Sequence, residues 1–286
     1  MSKYYYNKDY FSEINSSDKA YWLGFLYADG CVNRFYKNDK LKSMTLELSL
    51  AAIDKSHLEK FRDCLESNVP IFDKIIKGQN KDYQACRLNI CCTKLCYDLI
   101  NLGCTPNKTF DIRFPSQDQV PQKFIRDWLR GFFDGDGCIC TTLMNNKPHI
   151  ILSFTGIEEM LNDISSFLVS ENILRTMPTL HKDKRSHACS LNICGEDTIK
   201  DFLDYLYKDS DIYLDRKYNK YIDYYKDYQD IQKHGVHWNK RNNAYVVTIC
   251  LNGKRIRLGQ TKDLDEAIKL RKEAEIKKRD LKKQPA

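Results

Sequence analysis

Trp22-Leu-Gly-Phe-Leu-Tyr-Ala-Asp-Gly30 and Leu129-Arg-Gly-Phe-Phe-Asp-Gly-Asp-Gly137 are two versions of one stretch, 107 positions apart. Two more pairs follow in the same order. Leu48-Ser-Leu-Ala-Ala-Ile-Asp54 resembles Leu152-Ser-Phe-Thr-Gly-Ile-Glu158 at an offset of 104, and Leu88-Asn-Ile-Cys91 recurs as Leu191-Asn-Ile-Cys194 at 103. Three ordered matches with so little drift mark a duplicated unit of about a hundred residues.

Each copy reads helix, strand, strand, helix, strand, strand, helix. The opening helix is apolar and ends in Asp-Gly. Met44-Thr-Leu-Glu-Leu-Ser-Leu50 alternates strictly, which puts Thr45, Glu47 and Ser49 on one face of a half-buried strand. Asp54 starts a helix whose apolar positions Leu58, Phe61 and Leu65 recur at helical spacing. Gln84 to Ile90 returns to strand, with Arg87 and Asn89 on one face, and a helix from about Leu95 ends near Gly103. In the second copy His149, Ile151 and Ser153, then Ser190 and Asn192, take the matching faces. Residues 113–121, with two prolines, form a tether between the halves 1–112 and 122–223. The expectation is an α+β chain. Two pseudo-twofold-related αββαββα repeats build a platform from two antiparallel sheets, each polar on one side and helix-covered on the other.

In both copies small residues stand at i and i+4 of the opening helix: Gly24 and Ala28, then Gly131 and Gly135. That spacing places them on one face, where two helix backbones can approach closely. If the copies pack on each other, Asp29 and Asp136 meet at one end. A carboxylate there faces the negative end of the helix dipole, at a cost of a few tenths to about 1 kcal/mol, and a second adds like-charge repulsion. A divalent cation reverses both penalties. The two carboxylates and the helix-end carbonyls of Ala28 and Gly135 are hard oxygen ligands suited to Mg²⁺, with Mn²⁺ or Ca²⁺ able to occupy the same place. Beside a phosphodiester, an ion so held activates water and stabilises the leaving oxygen. A single Asp-Gly would read as a helix stop. Its duplication, together with the small-residue face, favours the site.

Composition narrows the class. The chain has 286 residues, 42% hydrophobic and 12% aromatic, which excludes wholesale disorder. No run of about 18 apolar residues exists for a membrane span, and Met1-Ser2-Lys3-Tyr4-Tyr5-Tyr6 lacks the apolar core of a secretion signal. Twelve cysteines without a leader point to reduced thiols in an intracellular protein. Cys91-Cys92 and Cys138-x-Cys140 fit no zinc spacing and are expected as core filler. The net charge of +7 is unevenly spread. Residues 232–286 hold 15 Lys+Arg against 6 Asp+Glu, a net of +9, leaving 31 against 33 and a net of −2 in residues 1–231. A basic tail on a near-neutral body points to a polyanionic partner.

The paired segments resemble the signature helices of the LAGLIDADG homing endonucleases in their single-chain, two-motif form. The resemblance spans most of Trp22 to Tyr221 and departs at Tyr27, where many members have an acidic residue. It implies that Asp29 and Asp136 are metal ligands for double-strand DNA scission across the minor groove, leaving 3′ overhangs. It implies that the repeats form a saddle on DNA. There Asn33, Lys37, Thr45, Glu47, Ser49, Arg87, Asn89, His149, Ser153, Ser190 and Asn192 would read bases in the major groove. It also implies a lysine at the end of each half, Lys108 in Thr105-Pro-Asn-Lys-Thr109 and Lys217 in Leu214-Asp-Arg-Lys217. Such a lysine would stabilise developing charge or organise water, or else only position a phosphate.

After a linker at 224–233, residues 234–286 change character. Trp238, the alternating Ala244-Tyr-Val-Val-Thr-Ile-Cys250, a turn at Asn252-Gly253 and Lys254-Arg-Ile-Arg-Leu258 read as a three-stranded sheet. One helix follows, with Asp263 and Glu266 spaced as a capping pair. The pattern Gly235-Val236, Trp238, Tyr245, Gly253-Lys254, Leu258-Gly259 and Glu266-Ala267 resembles the APETALA2-like DNA-binding domain. That resemblance implies DNA contacts from Trp238, Lys240, Arg241, Tyr245, Arg255 and Arg257, although Trp238 and Tyr245 would also serve as core. The expected partner is thus a double-stranded DNA target, bound by a monomer. The alternatives on this fold are an intron RNA maturase, with host intron RNA as partner, and a non-cleaving DNA-binding regulator. An excised intein is not expected, since no splicing domain fits before Trp22.

Overall fold

The computed structural model describes residues 3–78, 82–106, 111–144, 147–182, 188–232, 235–251 and 254–283. The chain divides into two compact units, Met1–Tyr218 and Asn219–Ala286. In the first unit α1 (Ser17–Asp29), β1 (Gly30–Lys37), β2 (Lys40–Ala51), α2 (Lys55–Cys64), β3 (Phe72–Ile76), β4 (Tyr83–Cys91) and α3 (Thr93–Asn101) form one αββαββα repeat. The second consists of α4 (Ile125–Asp136), β5 (Gly137–Met144), β6 (Lys147–Gly156), α5 (Glu158–Ser170), β7 (His181–Lys182), β8 (Cys189–Ile193) and α6 (Glu196–Tyr207). Their sheets have the same order, β1-β2-β4-β3 and β5-β6-β8-β7, and every recorded pairing within them is antiparallel.

The sequence alternation sets each sheet's two sides. Met44, Leu46, Leu48 and Leu50 of β2 are buried, as are Leu88 and Ile90 of β4. Leu152 and Phe154 of β6 and Leu191 and Ile193 of β8 repeat this in the second half. The intervening polar residues therefore lie on the opposite face of each sheet.

α1 and α4 pack on each other and join the halves. A Cβ on Gly24 would meet the Trp128 carbonyl oxygen at 1.9 Å and the Phe132 nitrogen at 3.0 Å. A Cβ on Gly131 would meet the Tyr21 carbonyl oxygen at 1.9 Å and the Phe25 nitrogen at 2.8 Å. Each contact is the other's counterpart under the 107-residue offset, so the two copies are related by a pseudo-twofold axis. Fully buried Trp22, Phe25, Trp128 and Phe132 flank the seam. Each contributes about 1.5–3 kcal/mol by burial.

Some expectations are corrected. Cys91, Cys138 and Cys140 are exposed rather than core, because Ile90 and Ile139 take the inward positions beside them. Asp54 makes no capping hydrogen bond; a short 3₁₀ turn precedes α2, and the Asp54 carboxylate pairs with Arg216 at 3.0 Å. The stretch expected as a linker at 224–233 is helical up to Gln232, as part of α7 (Asp215–Gln232). Tyrosines at 218, 221, 224, 225 and 228 give it helical spacing.

In the second unit β9 (Val236–Asn239), β10 (Ala244–Leu251) and β11 (Lys254–Thr261) form an antiparallel sheet of order β11-β10-β9. α8 (Leu264–Lys283) packs on it. The Asp263 carboxylate accepts the Asp265 and Glu266 amides at 2.7 and 3.0 Å, capping α8. Glu266 accepts the Thr261 hydroxyl instead of closing the capping box. The turn at Asn252-Gly253 lies outside the described residues. Among those described, no helix is long and apolar enough to cross a membrane.

Candidate functional site

The seam ends where expected. Asp29 and Asp136 are the last residues of α1 and α4, and both are exposed. A Cβ on Gly135 would lie 2.2 Å from the Ala28 Cβ and 3.3 Å from Asp29 Oδ2. The small-residue face therefore runs to the very end of the helices and brings the Asp29 carboxylate against the last turn of α4. Glycine follows each aspartate in extended conformation, not in the left-handed one of a common helix stop. A side chain at either place would strike the turn before it, at 2.7 Å from Leu26 or 2.1 Å from Phe133.

Lys217 reaches the same place from the first turn of α7. Its ammonium is buried and donates to the carbonyls of Phe133 at 2.5 Å and Asp134 at 2.7 Å, and to Gly137. The Gly135 carbonyl stands at 3.5 Å. A cation on these carbonyls opposes the negative helix end. Burial pushes the Lys217 ammonium down to about 8. Asp134 pulls it back up, Arg216 lowers it again, and Asp29 and Asp136 add smaller upward pulls. Lys108 lies outside the described residues.

Among the described residues no three His, Cys, Asp or Glu side chains gather as a metal-binding cluster. What the site offers is two exposed carboxylates with helix-end carbonyls, an all-oxygen set that fits a hard divalent cation keeping several waters. Ala28 and Gly135 are half-buried there, and Lys217 shares the Gly135 carbonyl.

Sequence reading missed the residues behind this arrangement. Asp134 is fully buried and accepts three hydrogen bonds: Tyr21 hydroxyl at 2.7 Å, Tyr207 hydroxyl at 2.6 Å and Leu214 amide at 2.8 Å. Burial raises its carboxyl pKa, against the lowering effect of Lys217 and these donors. Tyr27, its counterpart, donates to the Leu102 carbonyl instead. The difference at that position was the available signal.

The polar sheet faces collect the other candidates. Register places Asn33 beside Thr45, Glu47 beside Asn89, and Ser49 beside Arg87, so these six share one face. Glu47 is its electrostatic hub, with Arg87 Nη1 at 3.7 Å and Lys74 Nζ at 3.8 Å; Lys74 also donates to Ser49 Oγ at 3.0 Å. Lys74, paired with Ala85 in register, was not read from the sequence because β3 is short and irregular in pattern. Lys37 closes the β1–β2 hairpin opposite Lys40 and is exposed. In the second half Ser153 pairs with Asn192, and Ser190 with Thr155. His149 pairs with Thr142 on the same strand parity as Ser153. Exposed Phe35 lies in the first face opposite Ser43, and exposed Phe72 opposite Arg87.

In the second unit Ala244, Val246, Val247 and Ile249 are buried, whereas Trp238 is 43% exposed and Tyr245 half-buried. These two rings meet edge to face at 4.7 Å on paired register positions. The alternative of Trp238 as a core residue is thereby set aside. Thr248 pairs with Arg257 and Cys250 with Arg255, and both arginines are exposed. Lys240 and Arg241 belong to the turn between β9 and β10, where Asn239 Oδ1 accepts the Arg241 amide at 2.9 Å.

Comparison with known proteins agrees with this architecture. Residues 123–207 match the family model of the LAGLIDADG-like domain. A segment of 186 residues, 64% of the chain, is 23% identical to a probable translation initiation factor IF-2 of Methanocaldococcus jannaschii and spans 14% of that protein's length. The LAGLIDADG meganuclease I-AabMI bound to uncleaved DNA superposes with a TM-score of 0.50 at 12% identity, covering 75% of this chain and 91% of that one. The LAGLIDADG homing endonuclease I-GzeII in complex with its DNA target gives 0.50 at 13% identity, over 78% and 93%. A point mutant of I-SmaMI gives 0.51 at 15%, over 75% and 90%. Residues 123–207 are thus similar to a LAGLIDADG-like domain, and the chain shares the fold of the LAGLIDADG meganucleases.

Proposed function

We propose that the protein is a site-specific double-strand DNA endonuclease of the homing type, dependent on a divalent cation such as Mg²⁺. The observation that carries this reading is the reciprocal Gly24/Gly131 seam, which delivers the Asp29 carboxylate to the last turn of α4 beside Lys217. Asp29 and Asp136, with the carbonyls of Ala28 and Gly135, would hold the ion. When bound, it supplies Lewis-acid activation of water and of the leaving oxygen. The chain's own part is positional. The two exposed carboxylates face where a scissile phosphate passes across the minor groove, and Lys217 sets a positive charge beside the developing negative one. Lys108 is assigned the same part in the first half. Cutting both strands at such a centre would leave 3′ overhangs.

The two polar sheet faces suit the major groove, where donors and acceptors distinguish every base pair. The second unit, net +9 over residues 232–286, would add phosphate contacts through Lys240, Arg241, Arg255 and Arg257, and DNA contacts through Trp238 and Tyr245. I-AabMI and I-GzeII are each bound to DNA, and a chain holding both copies of the motif needs no second subunit. We assign it as a monomer acting inside the cell.

The decisive test compares wild type with the Asp29→Asn/Asp136→Asn double variant on fragmented host genomic DNA, with Mg²⁺ or EDTA, sequencing every new end. Recurrent 3′-overhang cuts at one locus, requiring Mg²⁺ and absent in the variant, are expected. Tight DNA binding without cutting would replace the nuclease reading by that of a regulator. Absence of both would direct attention to the intron RNA.

A further inference from the structure

One face of α4 clamps the segment that carries Lys217. Arg126, Arg130 and Asp134 recur every four residues, so they form a single stripe. Arg126 donates to the Lys208 carbonyl. Buried Arg130 donates to the carbonyls of Ile212 at 2.9 Å and Leu206 at 3.2 Å, and Asp127 neutralises it at 2.8 Å. Asp134 accepts the Leu214 amide at 2.8 Å, while Leu214 in turn accepts the Lys217 amide at 2.9 Å and opens α7. The Tyr207 hydroxyl fixes the other oxygen of Asp134 at 2.6 Å, and Tyr21 of the opposite half fixes the first at 2.7 Å. Both carboxylate oxygens are thus held by donors from three separate segments.

The first half is built differently. Under the 107-residue offset Arg126, Arg130 and Asp134 correspond to Lys19, Leu23 and Tyr27. Leu23 is an apolar core residue and Tyr27 donates to Leu102. Lys19 turns to the Glu13 carbonyl at 3.3 Å. The polar stripe therefore belongs to α4 alone.

We infer that Asp134 is a positioning residue that holds Lys217 at the helix-end carbonyls, so that cleavage of one DNA strand depends on it and cleavage of the other does not. The inference rests on the nuclease reading for its strand assignment, and on the hydrogen-bond geometry for the placement of Lys217. Phosphoryl chemistry is sensitive to such placement, because a shift of about 1 Å at a catalytic group costs up to roughly a hundredfold in rate.

The test has two arms on the full chain. In the first, solvent reactivity of Lys217 is measured by reductive methylation and peptide mass spectrometry. Lys217 is expected to be protected in wild type and to react at least tenfold faster in Asp134→Asn, with Tyr207→Phe intermediate. Unchanged protection in Asp134→Asn overturns the positioning role whether or not the protein cuts DNA. In the second arm, each strand of a target duplex is end-labelled and its cleavage followed separately at saturating enzyme. A roughly tenfold to hundredfold slowing of one strand, with nicked product accumulating, is expected for Asp134→Asn, and a smaller slowing of the same strand for Tyr207→Phe. Equal slowing of both strands would mean a merely structural role and overturn the inference. Tyr207→Phe serves if Asp134→Asn does not fold, since it leaves the buried volume almost unchanged. No cutting by wild type would defeat the nuclease reading, and the methylation arm would still decide the position of Lys217.

Discussion

The carbonyl oxygen of Trp128 stands 1.9 Å from the point that a side chain on Gly24 would occupy. Both partners are backbone, so no rotamer change relieves the clash; α1 and α4 would have to separate. Gly24→Ala gains about 1 kcal/mol in helix propensity. Overpacking against a rigid partner costs about 1–3 kcal/mol or more, and here it also displaces Asp29 from α4. Gly24→Ala and Gly131→Ala should therefore each lower the urea midpoint and reduce catalytic activity more than the stability loss explains. An unchanged midpoint in either variant would contradict the close seam.

His57 makes the first unit acid-sensitive. It is 1% exposed, and its Nε2 lies 3.0 Å from the Tyr21 hydroxyl that serves Asp134. Burial, then the charges of Lys60 and Arg216, push its pKa down from an ordinary 6.5 to about 3. Between those values the unfolded chain binds a proton that the folded chain does not. Its contribution is therefore fully present above pH 6.5 and is lost as pH falls toward 3, at about 1.4 kcal/mol per pH unit. Urea unfolding at pH 7 and pH 5 should show a drop of roughly 2 kcal/mol that is missing from His57→Gln. Equal pH slopes for the two proteins would show that His57 is not the cause.

The repeat, the order of its elements and the meeting of Asp29 with the end of α4 were legible because they follow from residues at matched offsets and from helical and strand periods. Asp134 was not, because a buried carboxylate is defined by donors distant in sequence: Tyr21, Tyr207 and Leu214 share no pattern with it. The exposure of Cys138 and Cys140 was hidden for the opposite reason. An apolar run such as Gly137-Cys-Ile-Cys gives no polar alternation to say which parity faces inward. Lys74 was missed because β3 pairs only along its length with β4, and its outward face is as apolar as its inward one.

Glu47 is expected to set specificity. Held between Lys74 and Arg87, it presents an acceptor on the polar face of its sheet, and if that face reads bases as proposed, such an acceptor suits the amino group of cytosine. Glu47→Gln should relax discrimination at one or two base positions by about 1–3 kcal/mol, measured by competition with a library of single-base target variants. Lys74→Ala and Arg87→Ala should instead weaken binding to all of them. A uniform loss for Glu47→Gln would place it outside base readout.

The basic second unit should show itself in the salt dependence of binding. A body of net −2 has little non-specific attraction for a polyanion, whereas each phosphate contact by a basic side chain adds about −0.9 to the slope of log K against log salt. Exposed Arg255 and Arg257 lie on β11 opposite Cys250 and Thr248, and Lys240 and Arg241 belong to the turn between β9 and β10. Replacing both arginines by alanine should cut the slope by about 2, and removing residues 232–286 by more, with strand scission at saturating enzyme much less affected. The measurement is a filter-binding or anisotropy titration on the cognate duplex across a salt series. If the truncated chain bound with the same affinity and slope as the full chain, the tail would have no part in holding DNA, and affinity would have to come from the reading faces around Glu47 alone.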